Sequence, residues 1–179
     1  AATPGQSEKQ PFVIPVELGL IDATTGAALP LHLAGEGAAD GATHATSRVV
    51  VLTEASQTLT FTNLDAEPVP SLLRGFSAPV VLDIDYTDAQ LLTLLAHDAD
   101  AFNRWEAGQR LALRIAINTI ANEAYKTSAT GRFDQAILSA EFVEAMRSVL
   151  RNPALDAAFK ELVLTLPSET YIAEQLDVV

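Results

Sequence analysis

The residues able to do chemistry are few and scattered. Three histidines occur, in the contexts Leu31-His32-Leu33, Thr43-His44-Ala45 and Ala96-His97-Asp98. A zinc helix needs two imidazoles three or four residues apart on one face, and no H-E-x-x-H is present. His32 is expected in a strand and His44 in a loop, as solvated or core-edge side chains. His97 is followed by Asp98 and Asp100 at a helix junction, where carboxylates are expected to cap the next helix rather than hold a metal.

The remaining candidates fare no better. Asp83, Asp85 and Asp88 have part of the spacing of a calcium loop but lack its glycine and closing glutamate, so a solvated strand edge is expected there. Serines are plentiful, yet no G-x-S-x-G elbow exists. Gly35, Gly37 and Gly41 do not follow G-x-G-x-x-G and no P-loop occurs, which removes nucleotide binding. Trp105, with Phe102 three residues earlier and Arg104 beside it, could form an aromatic ligand shelf, although such a pair on a long helix is expected to be core. No residue is therefore assigned as catalytic, cofactor-binding or metal-ligating.

Composition narrows the partners. The sequence carries 11 Lys and Arg against 23 Asp and Glu, a net charge of −12. That opposes both a phosphate backbone and an anionic membrane surface, so neither nucleic acid nor membrane is expected as a partner. There is no apolar run long enough for a membrane helix and no signal-peptide pattern. Cysteine is absent, which rules out disulfides and thiolate chemistry and is compatible with a cytoplasmic protein.

Two halves of different character must position whatever the chain presents. Over 12–86 apolar residues recur in short runs rich in Val, Ile, Leu, Thr and Phe, broken by Gly, Pro, Asp and Asn, as strands and turns require. Strands are expected at 12–20, 27–33, 48–52, 58–62, 72–76 and 80–86, with Pro15 and Pro30 at edges or bulges. The small, Gly-rich stretch 34–47 is expected as an exposed loop.

At Thr87 the apolar period lengthens from two to nearly four, and Thr87-Asp88-Ala89-Gln90 has the spacing of a capping box. Helices are expected at about 88–96 and 100–125. Phe142, Val143, Met146, Val149 and Leu150 should form a core stripe on a third. Asn152-Pro153 should stop that helix and open a further one, with Asn as N-cap, Pro at the first helical position and Leu155, Phe159, Leu162 and Val163 inward, and Pro167-Ser168-Glu169 a last one. The expected fold is α+β in two domains, a β-sandwich over 1–86 and the start of an α-helical array over 87–179. An array stopping there would leave an apolar face open, so truncation is expected.

Several stretches, in order, resemble the bacterial aminopeptidase N family. They are Thr3-Pro4-Gly5-Gln6 with Lys9-Gln10-Pro11-Phe12-Val13-Ile14-Pro15, then Glu67-Pro68-Val69-Pro70-Ser71-Leu72-Leu73-Arg74-Gly75-Phe76-Ser77-Ala78-Pro79-Val80, then Phe102-Asn103-Arg104-Trp105-Glu106-Ala107-Gly108-Gln109, and finally Leu164-Thr165-Leu166-Pro167-Ser168-Glu169. The second is the most specific. The resemblance implies a non-catalytic segment of a zinc-dependent aminopeptidase that removes N-terminal residues from peptides. It would link an upstream zinc domain to a helical domain that continues downstream and closes over the active site. The zinc and its ligands would lie upstream, none on this chain, and the chain alone would be inactive. The rival reading is a freestanding β-sandwich binding module on a helical stalk.

Overall fold

The computed structural model describes residues 4–5, 10–35, 45–121 and 138–176. His44, Gly37, Gly41, the middle of the 34–47 loop and the end of the 100–125 helix lie outside them. The chain divides into two compact units, Ala1–Asp83 and Ile84–Val179.

The first unit is built on β1 (Ile14–Asp22), whose long alternating run lets it serve as the middle strand. It pairs antiparallel with β3 (Ser47–Leu52) over 14–19 and with the two-residue β2 (Ala28–Leu29) at Leu20 and Ile21. β4 (Pro68–Leu72) pairs with Leu18 to Asp22. Leu18 and Gly19 pair with both β3 and β4, and Leu20 and Ile21 with both β2 and β4. So β2 and β3 follow each other along one edge of β1 while β4 holds the other.

Strand alternation then sorts the side chains. Leu18, Leu20, Leu31 and Val50 form a buried cluster, covered by Val16, Leu29, Leu33, Leu59, Phe61, Leu64 and Leu72. The covering layer is held by the antiparallel bridge Leu33↔Phe61 and its flanking bonds, Ala34 N to Thr60 O and Thr62 N to His32 O, each 2.9 Å. This second layer makes the unit a small sandwich rather than a single sheet.

Several strand boundaries move. The 58–62 run contributes only the bridge at Phe61, and 27–33 shrinks to Ala28–Leu29, because Pro30 has no N–H to continue the ladder. The 72–76 strand is instead the end of β4 followed by a 3-10 turn, Arg74–Phe76. Val80, Leu82, Ile84 and Tyr86 alternate as read, but this stretch pairs with no strand among the described residues, and Val81 is 97% exposed. Alternation reports a face; it does not supply a partner. Pro15 does sit where an edge was expected: the Glu17 N–H, two residues on and pointing the same way, leaves the ladder for Ser77 Oγ at 2.8 Å. Asp22 closes the hairpin turn by accepting from Thr24 N (2.7 Å) and the Thr25 hydroxyl (2.7 Å). The Thr25 hydroxyl first, and then the Thr24 and Thr25 amides, lower its pKa.

The second unit is helical. Thr87 caps α1 (Asp88–His97) with the full reciprocal box, Gln90 N to Thr87 Oγ1 at 3.2 Å and Thr87 N to Gln90 Oε1 at 2.9 Å. Four more helices follow: α2 (Ala101–Ala121), α3 (Ala140–Arg151), α4 (Ala157–Leu164) and α5 (Glu169–Glu174). Leu91, Leu94 and Leu95 of α1 bury against α2, where Gly108 permits the approach; a Cβ there would stand 3.2 Å from Leu95 Cδ1.

Here too the sequence expectations need correction. On α3 the buried side chains are Phe142, Ala145 and Val149, while Val143 (38%) and Leu150 (56%) face out. The buried face is centred on Phe142, Ala145 and Val149, so the flank of the expected stripe that holds Val143 and Leu150 is turned away from it. Asn152 ends α3 as read but does not open α4: its side chain accepts from Ala154 N at 2.9 Å, and Asp156 is the cap of α4, accepting from Phe159 N at 2.9 Å. Ser168 caps α5 through Tyr171 N at 3.2 Å. Leu162 is 53% exposed and Val163 fully buried.

Candidate functional site

Among the described residues none of the sequence candidates is brought together with another into a reactive group. His32 sits on the segment that enters the bridge, and its carbonyl receives Thr62 N. Asp83 and Asp85 are exposed, and Asp88 pairs with Arg114 at 2.5 Å. Gly35 turns the chain with a φ of 89°. Among the described residues no group of three or more His, Cys, Asp or Glu could hold a metal ion.

The junction near His97 is a structural knot. Asp98 Oδ1 accepts from Asp100 N at 2.9 Å and Asp100 Oδ1 from Asn103 N at 2.9 Å, which is the capping role read from the sequence. The unforeseen member is Arg104. Its Nε and Nη2 donate to the Asp98 carbonyl at 3.0 and 2.5 Å, and both residues are buried, at 5% and 1% exposure. Burial pushes the guanidinium below its ordinary range while the Asp98 charge opposes that shift, and burial followed by the Arg104 charge lowers His97. The pairing spans six residues across the α1–α2 junction, and no motif of the sequence reading announced it.

Trp105 and Phe102 were expected as core and are only half buried. Their rings lie 5.6 Å apart, tilted by 39°. Trp105 is the wall of a groove of about 520 Å³ between α2 and the segment 162–171, with Gln109, Leu113, Leu162, Leu166 and Tyr171. Three of its polar side chains are engaged within the unit. Gln109 Nε2 donates to Thr165 O at 2.8 Å, Ser168 Oγ caps α5, and Arg110 donates to Ile84 O at 2.7 Å while lying over the Tyr86 ring at 5.5 Å. With no nucleophile beside a base, the groove can receive apolar side chains but offers nothing to activate a bond.

In the first unit the most specific stretch of the sequence forms an unusual turn. Leu73, Gly75 and Phe76 all have left-handed backbones, with φ of 56°, 58° and 53°. For two bulky residues that is costly, on the order of 1–3 kcal/mol each, and persists only where surrounding structure enforces it. Arg74, between them, is 7% exposed and packs onto Gly19, with its Nε donating to Ser71 Oγ at 2.8 Å.

Comparison with known proteins matches this two-part architecture. Residues 1–85 match the family described as a domain of unknown function (DUF3458) with an Ig-like fold, and residues 88–179 match its companion (DUF3458_C), described as ARM repeats. The chain belongs to the DUF3458 family. Similar curated proteins are the aminopeptidase N of Escherichia coli strain K12, 36% identical over 99% of this chain, that of Caulobacter vibrioides, 38% over 76%, and that of Haemophilus influenzae, 35% over 96%. The chain spans only 19%, 15% and 18% of those relatives. In fold it is similar to a crystal structure of Legionella pneumophila aminopeptidase A in complex with aspartic acid, with a TM-score of 0.63 at 24% identity over 98% of this chain and 17% of that one. The resemblance read from the four sequence stretches is thus shown, as is the pairing of an Ig-like sandwich with a helical array. Among the described residues no helix is long and apolar enough to cross a membrane.

Proposed function

We propose that this DUF3458 pair is the non-catalytic segment of a zinc-dependent aminopeptidase of the membrane alanyl aminopeptidase type, which removes N-terminal residues from peptides. The observation that carries the reading is identity of 35–38% to proteins named aminopeptidase N, of which this chain covers less than a fifth. Catalytic, zinc-binding and substrate-binding residues would then belong to the polypeptide outside this chain. The β-sandwich, over about 1–86, holds the catalytic domain, and the helices from 87 onward begin the domain that closes over the active site. ARM repeats bury their apolar faces against their neighbours, so the groove beside Trp105 would receive the next helices of the same array. A cysteine-free sequence suits a cytoplasmic setting.

The test is hydrolysis of alanyl p-nitroanilide. The full-length protein should release p-nitroaniline, lose that activity to a chelator and regain it with zinc. The 179-residue chain alone should release none. A full-length protein without chelator-sensitive activity would sink the reading, and activity in the isolated chain would sink its non-catalytic half.

A further inference from the structure

The helical unit begins at Ile84, ahead of its first helix. The stretch leading into that helix alternates as a strand does, with Ile84 half-buried, Tyr86 6% exposed, and Asp83 and Asp85 exposed, yet it pairs with no strand among the described residues. An extended chain turns alternate carbonyls to one edge, and in a sheet they accept from the next strand. Buried carbonyls need some other donor where that strand is missing. Here α2 supplies it. Arg110 Nη2 donates to the Ile84 carbonyl at 2.7 Å, and Arg114 donates to the Tyr86 carbonyl from Nη1 at 3.2 Å and from Nη2 at 3.3 Å.

The spacing explains the fit. Two residues of extended chain advance about 6.6 Å and four residues of helix about 6 Å, so carbonyls two positions apart match arginines four positions apart on one helix face. Both series ascend together, Ile84 with Arg110 and Tyr86 with Arg114, so the two segments run in the same sense. The arginines also reach beyond the backbone. Arg110 lies over the Tyr86 ring at 5.5 Å, and Arg114 Nη1 meets Asp88 Oδ1, in the first turn of α1, at 2.5 Å.

We infer that Arg110 and Arg114 take the place of a neighbouring strand, and that the segment Ile84–Tyr86 is a strap by which they fasten the entry of α1 to α2. The ion pair with Asp88 is the lesser part, because that carboxylate is 63% exposed and a solvated pair contributes little. The bonds to the two carbonyls and the covered phenol hold the strap down. A guanidinium suits this work, since its fixed fork lets Arg114 serve the Tyr86 carbonyl with two nitrogens at once. Every group involved lies within the helical unit, so the strap stands apart from the aminopeptidase reading.

The experiment treats the full-length protein with tetranitromethane, which nitrates accessible tyrosines. Nitration of the peptide holding Tyr86 is measured by mass spectrometry against the same peptide from protein unfolded in urea. Tyr86 should be strongly protected in the unsubstituted protein. Arg110→Met with Arg114→Met keeps the aliphatic stems and removes every guanidinium bond. Nitration of Tyr86 should then rise severalfold while circular dichroism at 222 nm keeps its helical signal. Loss of the Arg110 charge alone would make the phenol hold its proton more tightly and slow the reaction, so a rise reports uncovering. Asp88→Asn removes the ion pair but leaves the carbonyl bonds, and should leave Tyr86 protected. If the double variant loses its helices, the single Arg110→Met is read the same way, with a smaller rise expected. Unchanged protection in a folded arginine variant, or an Asp88→Asn protein as reactive as the arginine variants, would overturn the inference.

Discussion

The guanidinium of Arg74 occupies the space that a side chain on Gly19 would need: a Cβ there would stand 2.2 Å from Arg74 Cζ. Gly19 is thus kept small by a residue 55 positions away. Gly19→Ala must push the guanidinium off Ser71 Oγ and should lower stability by about 1–3 kcal/mol in denaturant unfolding. In an Arg74→Ala background the same change should cost far less, a coupling that a double-mutant cycle reads directly. Additive effects would show that the close approach carries no energy.

Thr87→Ala removes one arm of the α1 capping box. The expected loss is about 1 kcal/mol, the usual worth of a Thr cap. Thermal unfolding followed by circular dichroism at 222 nm should show the midpoint fall, and Thr87→Ser should restore most of it because the hydroxyl is retained.

Phe142 and Leu150 were equivalent in the sequence stripe and are opposite in the structure, at 1% and 56% exposure. Phe142→Ala should cost about 3–5 kcal/mol through lost burial and the cavity left behind. Leu150→Ala in the 179-residue chain should change stability by less than about 0.5 kcal/mol. Equal effects in urea unfolding would return Leu150 to the core.

Burial pushes Tyr86 up to about 12 from an ordinary 10, opposed by Arg110 and reinforced by Asp98. Between those values the unfolded phenol loses its proton while the folded one keeps it, so the unfolded state binds fewer protons and stability falls as pH rises. The loss should approach 2 kcal/mol as an order of magnitude. Tyr86→Phe should flatten this part of the stability profile between pH 10 and 12, measured against the unsubstituted chain.

Local signals were legible in the sequence wherever the physics is local. The Thr87 capping box, the Ser168 cap and the alternation of β1 depend on residues within a few positions of each other, and all three stand in the structure. The resemblance carried by the 70–80 stretch identified the family for a different reason, since a run of eleven residues is specific even when its geometry is unknown.

Pairing and direction of burial were not legible, because both are set by what arrives from elsewhere in the chain. Val80, Leu82 and Ile84 alternate like a strand and pair with none among the described residues, and α3 buries Phe142 but turns Leu150 outward. The sequence by itself determined the two-part α+β organisation, the caps that start α1 and α5, and the family. Only the tertiary structure decided that Arg74 fills the space above Gly19, that Trp105 lines a groove, and that Arg110 and Arg114 meet the carbonyls of Ile84 and Tyr86, since each depends on distant segments sharing the same space.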